Sequence, residues 1–181
     1  MTVFGFGELR DGQPYPVLDE RVVRGSAGLM LLVGFVAFVN GFVVKNYAIL
    51  PWLTGFLSLN FGLAVLVNPK LSPTFALARI FVWRQSPLYI GAVQKRFAWS
   101  LGLALSSTAF ALSLKLVDDA TWFEPVCMLC LICLLFLFLE TAFGICVGCQ
   151  IYKLAVRLGV LPKPAVTPRC TGDACEPLPP R

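Results

Sequence analysis

Seven cysteines, Cys127, Cys130, Cys133, Cys146, Cys149, Cys170 and Cys175, are the residues of this chain best suited to chemistry. Five fall in one apolar stretch, residues 125–149, where 127/130, 130/133 and 146/149 are each three apart. Thiols grouped in this way suit exchange chemistry: a thiolate attacks a disulfide, and a second thiol resolves the mixed species. On a helix, residues three apart have Cβ atoms roughly 5 to 6 Å apart, so a Cys127 to Cys130 bond needs adjustment of the turn. Packing is the competing reading, because Cys is small and apolar and suits helix contacts in lipid.

Position along the helix sets the expected reactivity. Pro125 suits a first helical turn, which places Cys127 among the free N–H groups and makes it the expected nucleophile, with Cys130 as its partner. Cys133 lies one turn deeper. Cys146 and Cys149 fall at the opposite end, where the dipole of a continuous helix disfavours a thiolate, and Gly144 and Gly148 flank them. Cys170 and Cys175 form a further pair in the tail, able to deliver or resolve, or inert. Glu140 is the only acidic residue within an apolar run, and an ionisable group at that depth is a functional candidate by default. It is expected either to accept a proton from a thiol or to join helices through Asn60 or a serine. No metal site is expected: the chain has no His, and Cys133 and Cys146 would lie roughly 20 Å apart along one helix.

The elements that hold these residues are spans. With 57% hydrophobic and 14% charged residues, the chain is too apolar for a soluble domain. Apolar runs at 27–44, 47–67, 97–114 and 125–147 are each long enough to cross a bilayer. Of the 15 Lys and Arg residues, all but Lys45 and Lys115 lie outside the two hairpin loops, so the positive-inside rule places both termini in the cytoplasm. The N-terminus lacks the pattern of a cleavable signal peptide. The expected fold is an all-α integral membrane protein with four transmembrane helices and a short interfacial helix at 71–84 between the second and third. Residues 1–25 form a cytoplasmic arm, 26–149 the membrane domain, 150–161 an amphipathic juxtamembrane helix, and 162–181 a Pro-rich tail read as disordered.

ERVVR at 20–24, NPK at 68–70, QKRFAW at 94–99 and FGICVGC at 143–149 together resemble a family of bacterial four-helix membrane proteins classed as a domain of unknown function. The resemblance implies the membrane fold, an inner (plasma) membrane location, and a family role for Cys146 and Cys149. It also implies a thioredoxin-like or rhodanese-like partner. A looser similarity is to vitamin K epoxide reductase and the disulfide-forming quinone oxidoreductases, which carry a CxxC at the outer end of a helix beside quinone. Cys127 and Cys130 match that placement, and quinone is the cofactor the similarity implies. Those enzymes use a second outer pair in a loop, whereas neither hairpin loop here holds a Cys, so a partner would have to supply it.

The function expected is that of a membrane thiol protein, handling reducing equivalents or sulfane sulfur through pairs near the two faces. Whether the pairs make it a thiol-disulfide oxidoreductase is open at this point. The alternatives are a transporter for a thiophilic metal ion or small sulfur compound, and a non-catalytic scaffold subunit. Lipid is the expected surroundings, nucleic acid is not an expected partner, and a chain this small is expected to need a partner, such as a second copy, to enclose a pathway.

Overall fold

The computed structural model describes residues 6–9, 16–161, 169–171 and 174–176. Strand β1 (Val17–Asp19) leads into helix α1 (Glu20–Val39), which Asp19 caps by accepting the Arg21 N–H at 3.1 Å. A π-helical turn, Asn40–Val44, ends it, and Lys45 turns the chain with φ 59°. Helix α2 (Leu50–Gly62) returns, with Pro51 in its first turn where no N–H is needed, and closes in a second π turn, Leu63–Val67. Helix α3 (Pro73–Phe81) is short. Strand β2 (Tyr89–Gly91) then pairs antiparallel with β1, Val17 opposite Gly91, and so ties the start of α1 to the start of α4 (Ala92–Asp118). Helix α5 (Phe123–Phe138) ends in a third π turn, Leu139–Phe143, and α6 (Val147–Arg157) follows. Strands β3 (Arg169–Thr171) and β4 (Ala174–Glu176) pair antiparallel within the segment that composition reads as disordered.

Four helical segments are long and apolar enough to cross a membrane: Glu20–Val44, Tyr47–Val67, Ala92–Asp118 and Ala120–Phe143. They agree with the four apolar runs in number and order, and differ at two ends that matter for the site. The third begins five residues before its apolar run, taking Lys95 into the helix, and the fourth stops at Phe143 instead of running on to 147. The four pack as a ring, α1 against α2 and α5, and α4 against α2 and α5.

The core at the end where α1 and α4 begin centres on Trp99, which is only 6% exposed. Phe6, Phe61 and Phe75 meet its ring edge-on, with centroids 5.7, 6.3 and 6.2 Å away. At the hairpin end a smaller cluster of Leu50, Leu116 and Val126 packs with Cys130. Buried hydroxyl pairs also join the helices, Thr54 to Ser113 at 3.0 Å and Ser58 to Ser107 at 2.8 Å.

Asn60, 1% exposed, docks α3. Its Oδ1 accepts from the Ser72 hydroxyl at 2.8 Å and from the Thr74 N–H and hydroxyl at 3.1 and 3.0 Å. Thr74 is also within 2.7 Å of the Ser26 hydroxyl of α1. Removing this acceptor strands buried donors, at about 1–3 kcal/mol for each one left unpaired. Asn60→Leu is therefore expected to lower stability in detergent by about 2–4 kcal/mol, once partial re-pairing with Ser26 is allowed for. A chemical unfolding curve that overlays the wild type would show that α3 is held in some other way.

Candidate functional site: a cysteine pair at a helix start

The fourth span ends because Gly144 takes a left-handed conformation, φ 69°, beyond the π turn that carries Glu140. The Gly144 N–H bonds the Glu140 carbonyl at 3.1 Å, and the Ile145 N–H bonds that of Leu139 at 3.0 Å. A Cβ at 144 would overlap the guanidinium of Arg24, which is ion-paired to Glu20 at 2.8 Å and would have to swing away, and the left-handed backbone would itself be strained.

The chain then extends through Cys146 and starts a new helix. Cys146 is the N-cap of α6: its backbone is extended (φ −85°, ψ 100°), its carbonyl takes the Gln150 N–H at 3.1 Å, and its Sγ accepts the Cys149 N–H at 3.4 Å. Cys149 is the third helical residue. The expectation that this pair sits at the C-terminal end of a continuous helix is thus reversed. Both thiols lie at a helix N-terminus, where the free N–H groups and the dipole favour a thiolate. Cys127 moves the other way. A 3₁₀ turn, Ala120–Trp122, runs into α5 at Phe123, so Cys127 is the fifth residue of that helix, beyond the four whose N–H groups lack an intrahelical acceptor.

Helix α4 supplies the charge at this site. The start of α6 lies hard against α4 at Gly148, where a Cβ would come 2.6 Å from the Ala98 Cα. One turn before Ala98, Lys95 is 7% exposed and forms an ion pair with Glu140. The residues that meet here are therefore Lys95 of α4, Glu140 of the π turn, and Cys146 and Cys149 of α6. Cys146 is buried, Cys149 half-buried.

The two thiols interact directly. The Cys149 thiol is held below its ordinary value, first by the hydrogen bond from Cys146, against the opposing effect of burial, and with help from the Lys95 ammonium. The Cys146 thiol is pushed up, first by that same bond to Cys149 and then by burial. The pair gives up its first proton readily and its second only with difficulty.

A cavity of about 110 Å³ runs along the axis of the helix ring. Cys130 and Cys133 line it towards the hairpin end, Glu140 and Cys146 line the other end, and Phe61, Trp99 and Leu134 form walls between. The sequence-predicted sites therefore divide. Glu140, Cys146 and Cys149 come together, and Cys130 joins them only through this shared chamber. Cys127 lines a second, smaller void with Phe42 and Val126, which it shares with Cys130, near Lys45, whose ammonium lies 4.2 Å from the Phe123 ring centre. Asn60 does not partner Glu140, since α3 occupies its acceptor.

Sequence reasoning missed Lys95 as a site residue, counting it only among the charges outside the hairpin loops. Its position within QKRFAW, beside the equally distinctive FGICVGC, was the available signal.

Fold and site together define a small multi-pass membrane protein, four apolar helices in a ring, with a cysteine pair where a fifth, amphipathic segment begins. The chain belongs to the family described as Domain of unknown function (DUF4395), whose model matches residues 18–157. No curated protein and no solved structure matches it.

Proposed function

We propose that this protein is a thiol-disulfide oxidoreductase of the bacterial inner membrane, with Cys146 and Cys149 as its reactive pair on the cytoplasmic side. The observation that carries this reading is the placement of both thiols at the start of α6, with the Cys149 N–H on the Cys146 sulfur and the Lys95–Glu140 ion pair beside them. The Cys149 thiolate attacks a disulfide of a partner, displacing one partner thiolate and forming a mixed disulfide. Cys146 then attacks the Cys149 sulfur and releases the second partner thiolate. Its proton passes to Glu140, and two electrons have moved from the pair to the partner. A thioredoxin-like protein fits this exchange; a rhodanese-like one would instead leave sulfane sulfur on Cys149 as a persulfide.

The charge distribution supports a cytoplasmic location for this end, since among the described Lys and Arg residues only Lys45, in the first hairpin loop, and Lys115, in the last turn of α4, lie at the opposite end. Helix α3 reads as interfacial: Leu77, Ile80 and Phe81, with Trp83 just beyond its end, are exposed apolar side chains suited to the headgroup layer. Cys127 and Cys130 would then face the outer side as a second pair. The chamber lined by thiols favours transport of a small sulfur compound as a second reading. For a thiophilic metal ion, no group of three Cys, Asp, Glu or His side chains among the described residues is arranged to hold one.

The test is the pH dependence of alkylation. Because the Cys149 proton leaves below the ordinary thiol value, iodoacetamide labelling of Cys149 in reduced protein is expected to reach its plateau at a lower pH than a free thiol does. Labelling should fall only as pH drops through that lowered value. Mass spectrometry of samples labelled between about pH 5 and 9 gives the profile; a Cys149 midpoint at or above about 8.5, that of a free thiol, would sink the proposal.

A further inference from the structure

Strands β3 and β4 pair with Arg169 opposite Glu176, Cys170 opposite Cys175, and Thr171 opposite Ala174. Only Gly172 and Asp173 separate the two strands, a dipeptide suited to a tight hairpin, and residues of opposite charge share one register position. Directly opposed residues of an antiparallel pair have Cα atoms about 4.5 to 5.5 Å apart, within the roughly 4.4 to 6.8 Å that a disulfide spans. The register therefore places Cys170 and Cys175 at bonding separation, which Cys127 and Cys130, held at helical spacing within α5, reach only by local adjustment.

The hairpin also lies near the site. β4 runs beside β2, and β2 leads directly into α4, whose Lys95 is four residues, about 6 Å along the axis, beyond Gly91. Seven residues lie between Leu161 and Arg169, enough chain to span up to roughly 27 Å from the end of the α6 segment.

We propose that Cys170 and Cys175 are a second redox pair, a cross-strand disulfide when oxidised, that exchanges directly with Cys146 and Cys149. This rests on the reading of Cys146 and Cys149 as a reactive pair and names its immediate partner within the same chain. Electrons balance internally. A Cys170 or Cys175 thiolate attacks the Cys149 sulfur of the Cys146–Cys149 disulfide, breaking that bond and releasing the Cys146 thiolate, which takes up a proton. The remaining tail thiol then attacks the tail sulfur of the mixed disulfide, closing the Cys170–Cys175 bond and releasing Cys149. Two electrons pass from the tail to the helix pair, and no outside oxidant is consumed. The direction follows from placement: a helix start and a buried cation stabilise the reduced helix pair, which makes its disulfide the oxidant of the exchange.

The experiment uses the full-length protein in phospholipid nanodiscs, with acid quenching, alkylation and peptide mass spectrometry. In Cys146→Ser combined with Cys175→Ser, which leaves no thiol to resolve the mixed disulfide from either side, treatment with one equivalent of diamide is expected to leave Cys149 joined to Cys170 in most molecules. In a Cys170→Ser, Cys175→Ser double variant, reduction of the Cys146–Cys149 disulfide by glutathione should slow by about tenfold or more. An unlinked Cys149 in the first variant, or an unchanged rate in the second while the Cys146–Cys149 disulfide still forms and is reduced, overturns the tail exchange and leaves the reactive pair standing. If the Cys146–Cys149 disulfide forms in neither wild type nor double variant, both proposals fall.

Discussion

Replacing Lys95 with methionine is expected to cost about 3–5 kcal/mol of stability, the largest loss of any substitution at the site that leaves the backbone alone. Lys95 and Glu140 lie almost wholly out of solvent, 9% and 14% exposed at their side chains, and each is the other's counter-charge. Removing the ammonium strands a carboxylate at the inner end of an apolar chamber, with its counter-charge gone. The informative comparison is the double variant, Lys95→Met with Glu140→Leu, which replaces the pair by apolar groups of similar length. Buried ion pairs replaced in this way often leave stability unchanged or raised. The double variant is thus expected to regain most of the lost stability, with Cys149 alkylation moved only part of the way toward alkaline pH: the hydrogen bond from Cys146, the first cause of the acid shift, remains, and the opposing Glu140 carboxylate leaves together with the Lys95 ammonium. Unfolding in detergent and the labelling profile together decide the matter. A double variant that recovers both stability and the alkylation profile would reduce Lys95 and Glu140 to helix pairing.

What the sequence revealed, and what it hid, follows from the range of the interactions. Spans are legible because a run of apolar residues has the same consequence whatever surrounds it, and all four are found in order. Their ends depend on distant partners. Hydropathy assigns Lys95 to water because a lone ammonium belongs there; only Glu140, 45 residues away, makes it a helical, buried residue. Gly144 reads equally well as a flexible helix residue or a stop, and the distinction lies in the Arg24 guanidinium packed against it from α1. Once the helix stops there, the polarity of the Cys146 and Cys149 site inverts, so one misplaced boundary reverses the electrostatic argument for both thiols. Trp99 shows the same limit. Its place near the end of an apolar run suggests the headgroup layer, but the fold-back of α3 and the N-terminal segment buries it among three phenylalanines. The tail shows the limit of composition, which reads Pro content and low hydrophobicity but not the register that sets Cys170 against Cys175.

Gly148→Val is expected to impair the thiol site more than any other single change that keeps both cysteines and the ion pair. A Cβ at 148 would lie 2.6 Å from the Ala98 Cα and 2.5 Å from its Cβ, against ordinary separations near 3.5 to 4 Å. Neither atom is the far end of a flexible side chain, so the strain cannot be relieved by a rotamer change. Helix α6 must move off α4 by about 1 Å or more, taking the N-cap with it. Lys95 stays behind, because it is fixed to α4 and to Glu140, and the distance between its ammonium and the thiol pair grows. Cys149 is then expected to react more slowly at neutral pH, as its thiolate fraction falls, while remaining fully reactive at alkaline pH. The alkaline plateau separates loss of thiolate from loss of access. Gly62→Ala is the matched control, another helical glycine packed on α4, where the added Cβ meets only Leu103 Cδ1 at 3.8 Å. It should leave the labelling profile unchanged. Gly148→Ala combined with Ala98→Gly relieves the clash with the methyl group at 98 but leaves the new side chain pressed on the α4 backbone, so it should fall between wild type and Gly148→Val. If Gly148→Val shows the wild-type alkylation profile, the close packing of α6 on α4 does not set the reactivity of the pair, and the shift in Cys149 must come from the helix start and Cys146 alone.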